Sequence, residues 1–124
     1  MDLLKAGLPP AYGGDRKACS AIYYLLRDGE VSCWHKLRSA EVWAWHCGGT
    51  LAMLQGGDGE EPMPDKELLL GPRPENGESF SVAVPAGVWQ TTRVSGGGYA
   101  LVTCMVAPAF DERDFFYAHG KYNV

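Results

Sequence analysis

Apolar residues in this chain recur mainly at every second position, in short runs cut by glycine, proline and charge. Side chains change face at each residue of a strand, so this period predicts strands with one buried face. Residues 21–26 are apolar and aromatic, and Arg27-Asp28-Gly29-Glu30 then turns the chain, which predicts a hairpin with the next stretch. That stretch, residues 29–49, reads as two strands joined by the polar turn 36–40. Alternation places Cys33, His35 and Leu37 on one face, followed by Glu41, Trp43 and Trp45.

Further strands are expected at residues 50–55, at 67–70 and at 79–84, where Phe80, Val82 and Val84 alternate with Ser81 and Ala83. Residues 60–66 read as an exposed loop, and Pro85-Ala86-Gly87 is a sharp stop. Residues 88–94 and 99–106 flank Ser95-Gly96-Gly97-Gly98 and read as a hairpin; residues 111–116 could form one helical turn. Residues 1–18, broken by Pro9-Pro10 and Gly13-Gly14, read as an opening segment that either runs along the sheet as an edge strand or exchanges with a partner subunit. About seven to ten strands without alternating helices favour an all-β sandwich or barrel.

A chain of 124 residues is long enough for one domain with its own core and too short for two ordinary ones. The divisions expected are an N-terminal arm over 1–19, a barrel over 20–117 and a C-terminal tail over 118–124. A net charge of -4 supplies no basic stripe, so nucleic acid is not expected as a partner. No segment approaches the roughly 20 apolar residues of a membrane span, and the first residues do not resemble a signal peptide, so a cytoplasmic protein is expected. The four cysteines form no Cys-x-x-Cys pair and read as reduced thiols, Cys33 as a core thiol. His46 and His119 read as solvated surface.

The chemistry-bearing residues gather around the two strands of residues 29–49. His35, Glu41 and Gln90 could converge on a divalent ion through an imidazole nitrogen, a carboxylate oxygen and an amide oxygen. The alternative is that His35 and Glu41 simply pair, since a buried charge needs a partner. Either group could also remove and return the proton beside a substrate carbonyl, although a carboxylate bound to metal could not serve as that base. Tyr23, Trp43, Trp45, Phe80 and Trp89 are candidates for an aromatic substrate wall, against the alternative of core packing. Arg93 is either a donor to a substrate carboxylate or a surface charge.

The spacing of Gly29, His35, Glu41 and Gly48 resembles the first motif of cupins, with Leu37 in place of its second histidine. The run Pro85-Ala86-Gly87-Val88-Trp89-Gln90 resembles the second motif, with Gln90 in place of histidine and Val94 where asparagine is usual. With residues 20–26, Trp34-His35-Lys36-Leu37, Ser39-Ala40-Glu41-Val42-Trp43 and Tyr99-Ala100-Leu101-Val102, these motifs are similar to the DUF985 (Cupin_5) family from about residue 20 to 116. Members often carry a longer arm, of which only Gly13-Gly14 resembles a remnant.

The resemblance implies a cupin-type double-stranded β-helix (jelly-roll barrel), commonly a homodimer, with a small-molecule pocket. It also implies a link to secondary metabolism and antibiotic biosynthesis, where epimerisation of an aromatic 2-oxo acid is one associated activity. The reading is therefore an isomerase (epimerase) assisted by a divalent metal, foremost zinc, with nickel, manganese or iron as alternatives. A metabolite-binding cupin without catalysis is the rival, and an iron-dependent oxygenase a further one that Leu37 and Gln90 disfavour.

Overall fold

The computed structural model describes residues 12–119, so the expected arm lies largely outside the described residues, as does the end of the tail. Ten strands follow in chain order: β1 (Ser20–Arg27), β2 (Val31–Leu37), β3 (Ala40–Gly48), β4 (Leu51–Gln55), β5 (Lys66–Leu70), β6 (Glu78–Ser79), β7 (Ser81–Val84), β8 (Gln90–Val94), β9 (Tyr99–Ala107) and β10 (Phe115–Tyr117). They form two sheets, ordered β1-β9-β3-β7 and β10-β2-β8-β4-β5-β6. All pairs are antiparallel except β5 with β6.

Strand existence and type follow the alternation, but pairing does not. β1 pairs with β9, not β2, and β8 pairs with β2 and β4, not β9. Both expected hairpins are therefore connections that cross between the sheets. Local turn chemistry identifies where a chain reverses, whereas two-sheet burial decides which sheet the next strand joins. The expected helical turn at 111–116 is a short 3-10 turn, Glu112–Asp114, that leads directly into β10. Residues 12–19 form no strand.

The space between the sheets has two halves. One is filled by a cluster that includes Leu26, Leu51, Met53, Leu70, Val82 and Val102, contributed by both sheets. Each such side chain contributes roughly 1.5–3 kcal/mol by leaving water. Trp43 and Cys104 belong to this cluster and also face the other half, which is open. β1 is the last strand of one sheet and β10 the last of the other, so among the described residues no ladder joins the sheets between these two strands.

Two glycines of the motifs close this frame. Gly48 has φ of +92°, and a Cβ there would strike the carbonyl oxygen of Tyr99. Gly87, at φ +78°, donates its N–H to the Leu37 carbonyl at 2.7 Å, tying the Pro85 turn to the end of β2.

Candidate active site

The open half is a cavity of about 540 Å³. β1 contributes Tyr24, β2 contributes Ser32, His35 and Leu37, β3 contributes Glu41 and Trp43, and Phe110, Phe115 and Tyr117 come from the C-terminal segment. His35 and Glu41 are buried at its floor, whereas Ile22, Val31 and Tyr117 are half-exposed at its rim.

A bulge in β2 sets the floor. Ser32 pairs with Thr92 and His35 with Gln90, so β2 advances three residues while β8 advances two. Ser32 and His35 consequently both point inward, although strict alternation separates them.

The His35 Nδ1–H donates to the Cys33 carbonyl at 2.7 Å, which fixes the neutral tautomer and leaves Nε2 as the ring's acceptor. Its ring stacks on Phe115, with centroids 5.0 Å apart and planes 13° apart. Burial pushes the imidazole below its ordinary pKa of 6.5, against the opposing pulls of the Cys33 carbonyl and Glu41. Glu41 Oε1 accepts from Trp43 Nε1 at 3.0 Å and from Gln90 Nε2 at 2.7 Å. These two donors anchor the carboxylate from the wall, and no described group donates to Oε2.

This donor set does not fit a resident divalent metal. Gln90 turns its N–H, not its carbonyl, toward Glu41, and the reverse orientation would bring two acceptors together. Gln90 Oε1 is buried without a partner among the described residues, as is Thr92 Oγ1, and Gln90 is not a cavity-lining residue. Leu37 fills the wall where a cupin's second histidine is expected. No group of three His, Cys, Asp or Glu side chains arranged for a metal occurs among the described residues. What remains at the floor is one imidazole nitrogen and one carboxylate oxygen, too few for the usual four-coordinate site.

Of the aromatic wall expected from the sequence, only Trp43 lines the cavity. Tyr23 is 78% exposed and Phe80 57% exposed, both outside it. Trp45 packs at the edge of the core and donates to the Gly49 carbonyl, and Trp89 is buried, donating to the Gly59 carbonyl with the Lys36 ammonium over its ring. Arg93 is exposed and does not line the cavity, which removes it as a substrate-carboxylate donor there. Cys33 is half-buried on the cavity wall, and His46 and His119 are exposed.

The residues that sequence reasoning missed are Tyr24, Ser32, Phe110, Phe115 and Tyr117. Tyr24 meets Trp43 edge-on at 5.6 Å. Burial raises its phenol pKa, partly offset by a hydrogen bond with Ser32, so its proton is retained. Tyr23 lies on the outward phase of β1, whereas Tyr24 shares the inward phase of buried Leu26, two residues on.

The family model described as cupin superfamily (DUF985) matches residues 4–118. The chain is a DUF985 cupin. It is similar to a solved protein of Shewanella oneidensis, 33% identical with a TM-score of 0.75, over 90% of this cupin and 66% of that chain. A hypothetical protein from Leishmania major is 32% identical with the same TM-score, over 83% of this cupin and again 66% of that chain. This cupin thus spans about two thirds of the length of both. A dTDP sugar isomerase from Desulfovibrio desulfuricans is similar in fold alone, 15% identical with a TM-score of 0.69, over 92% of this cupin and 73% of that chain. No curated protein matches the sequence. Among the described residues, no helix is long and apolar enough to cross a membrane.

Proposed function

We propose that this cupin is a small-molecule isomerase that moves a proton on the carbon beside a carbonyl group, without a resident metal. The observation that carries the reading is the cavity floor, where the uncommitted His35 Nε2 and Glu41 Oε2 are offered within aromatic walls.

In this mechanism the carbonyl oxygen accepts a hydrogen bond from the Tyr24 or Ser32 hydroxyl, which stabilises the negative charge that develops there. One member of the pair removes the neighbouring C–H proton, giving an enol or enolate. Return by the same group, after its proton exchanges with solvent, restores the starting compound with an exchanged proton. Inversion needs the other group to enter the step already protonated, as the Glu41 carboxylic acid or the His35 imidazolium, so that it gives its proton to the opposite face while the base keeps the one it removed. Atoms and electrons balance without an oxidant. The stacked Phe115 and the Cys33 carbonyl keep the imidazole ring in one orientation, and Trp43 with Gln90 do the same for the carboxylate. The rings of Tyr24, Trp43 and Phe115 suit a flat or aromatic substituent.

The test is deuterium incorporation beside the carbonyl when aryl-substituted ketones, 2-oxo acids and their esters are incubated with the protein in D2O. Exchange is expected to fall by about 10²-fold or more in Glu41→Gln and in His35→Asn, and to survive treatment with a chelator. Binding without exchange establishes the metabolite-binding reading instead. A rate lost to chelator and restored by zinc overturns the metal-free mechanism.

A further inference from the structure

We infer that the ligand of this cavity enters uncharged: it is a neutral, ring-bearing carbonyl compound such as a ketone or an ester, and not a 2-oxo acid or other anion. The inference rests on the acid–base reading of the floor and specifies its substrate class.

Glu41 is the one formally charged residue type among the described residues that line the cavity, and neither lysine nor arginine is present there. The nearby cations are committed elsewhere. The Arg16 guanidinium grips Asp114 with two hydrogen bonds, at 2.8 and 2.9 Å, and Arg38 Nε reaches the same carboxylate at 3.2 Å. Lys36 lies over Trp89 and donates to the Gly59 carbonyl. An entering anion therefore meets a carboxylate and apolar walls, and loses its hydration with no opposite charge among the described lining residues to replace it.

An amphipathic acid could escape this cost by leaving its charge at the rim, but a 2-oxo acid cannot. Its carboxylate is bonded to the carbonyl carbon itself, so bringing the adjacent C–H to His35 and Glu41 drags the charge to the floor. A ketone or ester has no such conflict, and its carbonyl oxygen needs only the neutral hydroxyl donors of Tyr24 and Ser32. Discrimination thus arises from repulsion and desolvation of the wrong ligand as much as from contacts to the right one.

The experiment compares 2-oxo-4-phenylbutanoate with its methyl ester on the full chain, by titration calorimetry near neutral pH. The ester is expected to bind at least about tenfold more tightly. Val31→Lys, which sets an ammonium at the half-exposed rim, is expected to narrow that ratio by several-fold through tighter binding of the acid. Ile22→Lys, on the rim from β1, replaces it should the first variant not fold. Equal or tighter binding of the acid overturns the inference, as does binding of neither compound or a ratio that a folded lysine variant leaves unmoved. Deuterium exchange is read on the same samples. Tighter ester binding without exchange supports the ligand class and removes the catalytic reading, whereas exchange on an acid bound as tightly as its ester does the reverse.

Discussion

Two side chains at the cavity floor are held in opposite ways, and each has its own signature. His35 is buried, so its imidazole titrates below 6.5, and between its folded and unfolded midpoints the unfolded chain binds the extra proton. Its contribution to stability is therefore complete above 6.5 and is lost as pH falls through that window to the folded midpoint. An NMR titration of the His35 ring proton is expected to give a midpoint below 6.5; a midpoint at or above it contradicts the burial argument. Trp43 acts on Glu41 through a single N–H, so Trp43→Phe keeps most of the volume and removes one of the carboxylate's two donors. The expected cost is about 1–3 kcal/mol in denaturant unfolding, with slower exchange. Cys104 is buried and its thiol is raised well above the usual range, whereas Cys19 and Cys47 are exposed. Ellman's reagent should label those two in the folded protein and reach Cys104 only on unfolding.

Among the elements, β10 governs the site although it has only three residues. Asp114, just before it, is buried against Arg16 and Arg38, and this grip sets Phe115 on the His35 ring. Asp114→Asn weakens the charge pairing at similar volume and leaves buried Arg16 with only the longer 3.9 Å contact to Asp111 as an ion pair. The expected result is a lower Tm together with a His35 midpoint that rises toward 6.5 as Phe115 loosens. An unchanged midpoint would separate the clamp from the site. β10 also marks where sequence reasoning ended: Asp111-Glu112-Arg113-Asp114 has a helical beginning, with Asp111 capping the Arg113 N–H, but the turn stops after three residues because Phe115 pairs with Leu37 across the sheet edge. A local signal cannot include a partner 78 residues away. The bulge in β2 escaped for the same reason, since only the pairings Ser32 with Thr92 and His35 with Gln90 reveal the extra residue.

For the whole molecule, the strands and the cupin family were legible because alternation and the glycine, histidine and glutamate spacing are written locally. The aromatic wall was only partly legible. Which of two adjacent tyrosines faces inward, and whether a tryptophan meets core or cavity, depends on how far the sheets splay between β1 and β10. The outer face of the β1 sheet carries exposed Tyr23, Leu25 and Met105. If the expected homodimer buries this face, Tyr23→Glu combined with Met105→Glu will halve the mass seen by light scattering, whereas a single-chain mass for the parent removes that expectation. The pairing pattern also fixes when the pocket comes into being. Tyr24 faces Val102 across the β1–β9 ladder, and His35 waits for Tyr117 across the β2–β10 ladder, so the cavity draws on both the first and the last strand of the barrel. On the ribosome, the first strand emerges long before the strand that will seat it, and a nascent chain stopped short of β10 has the His35 ring without its stacking partner Phe115. Ligand binding can therefore report completion of the barrel: a truncation series should acquire it in one step, with the residues of β10.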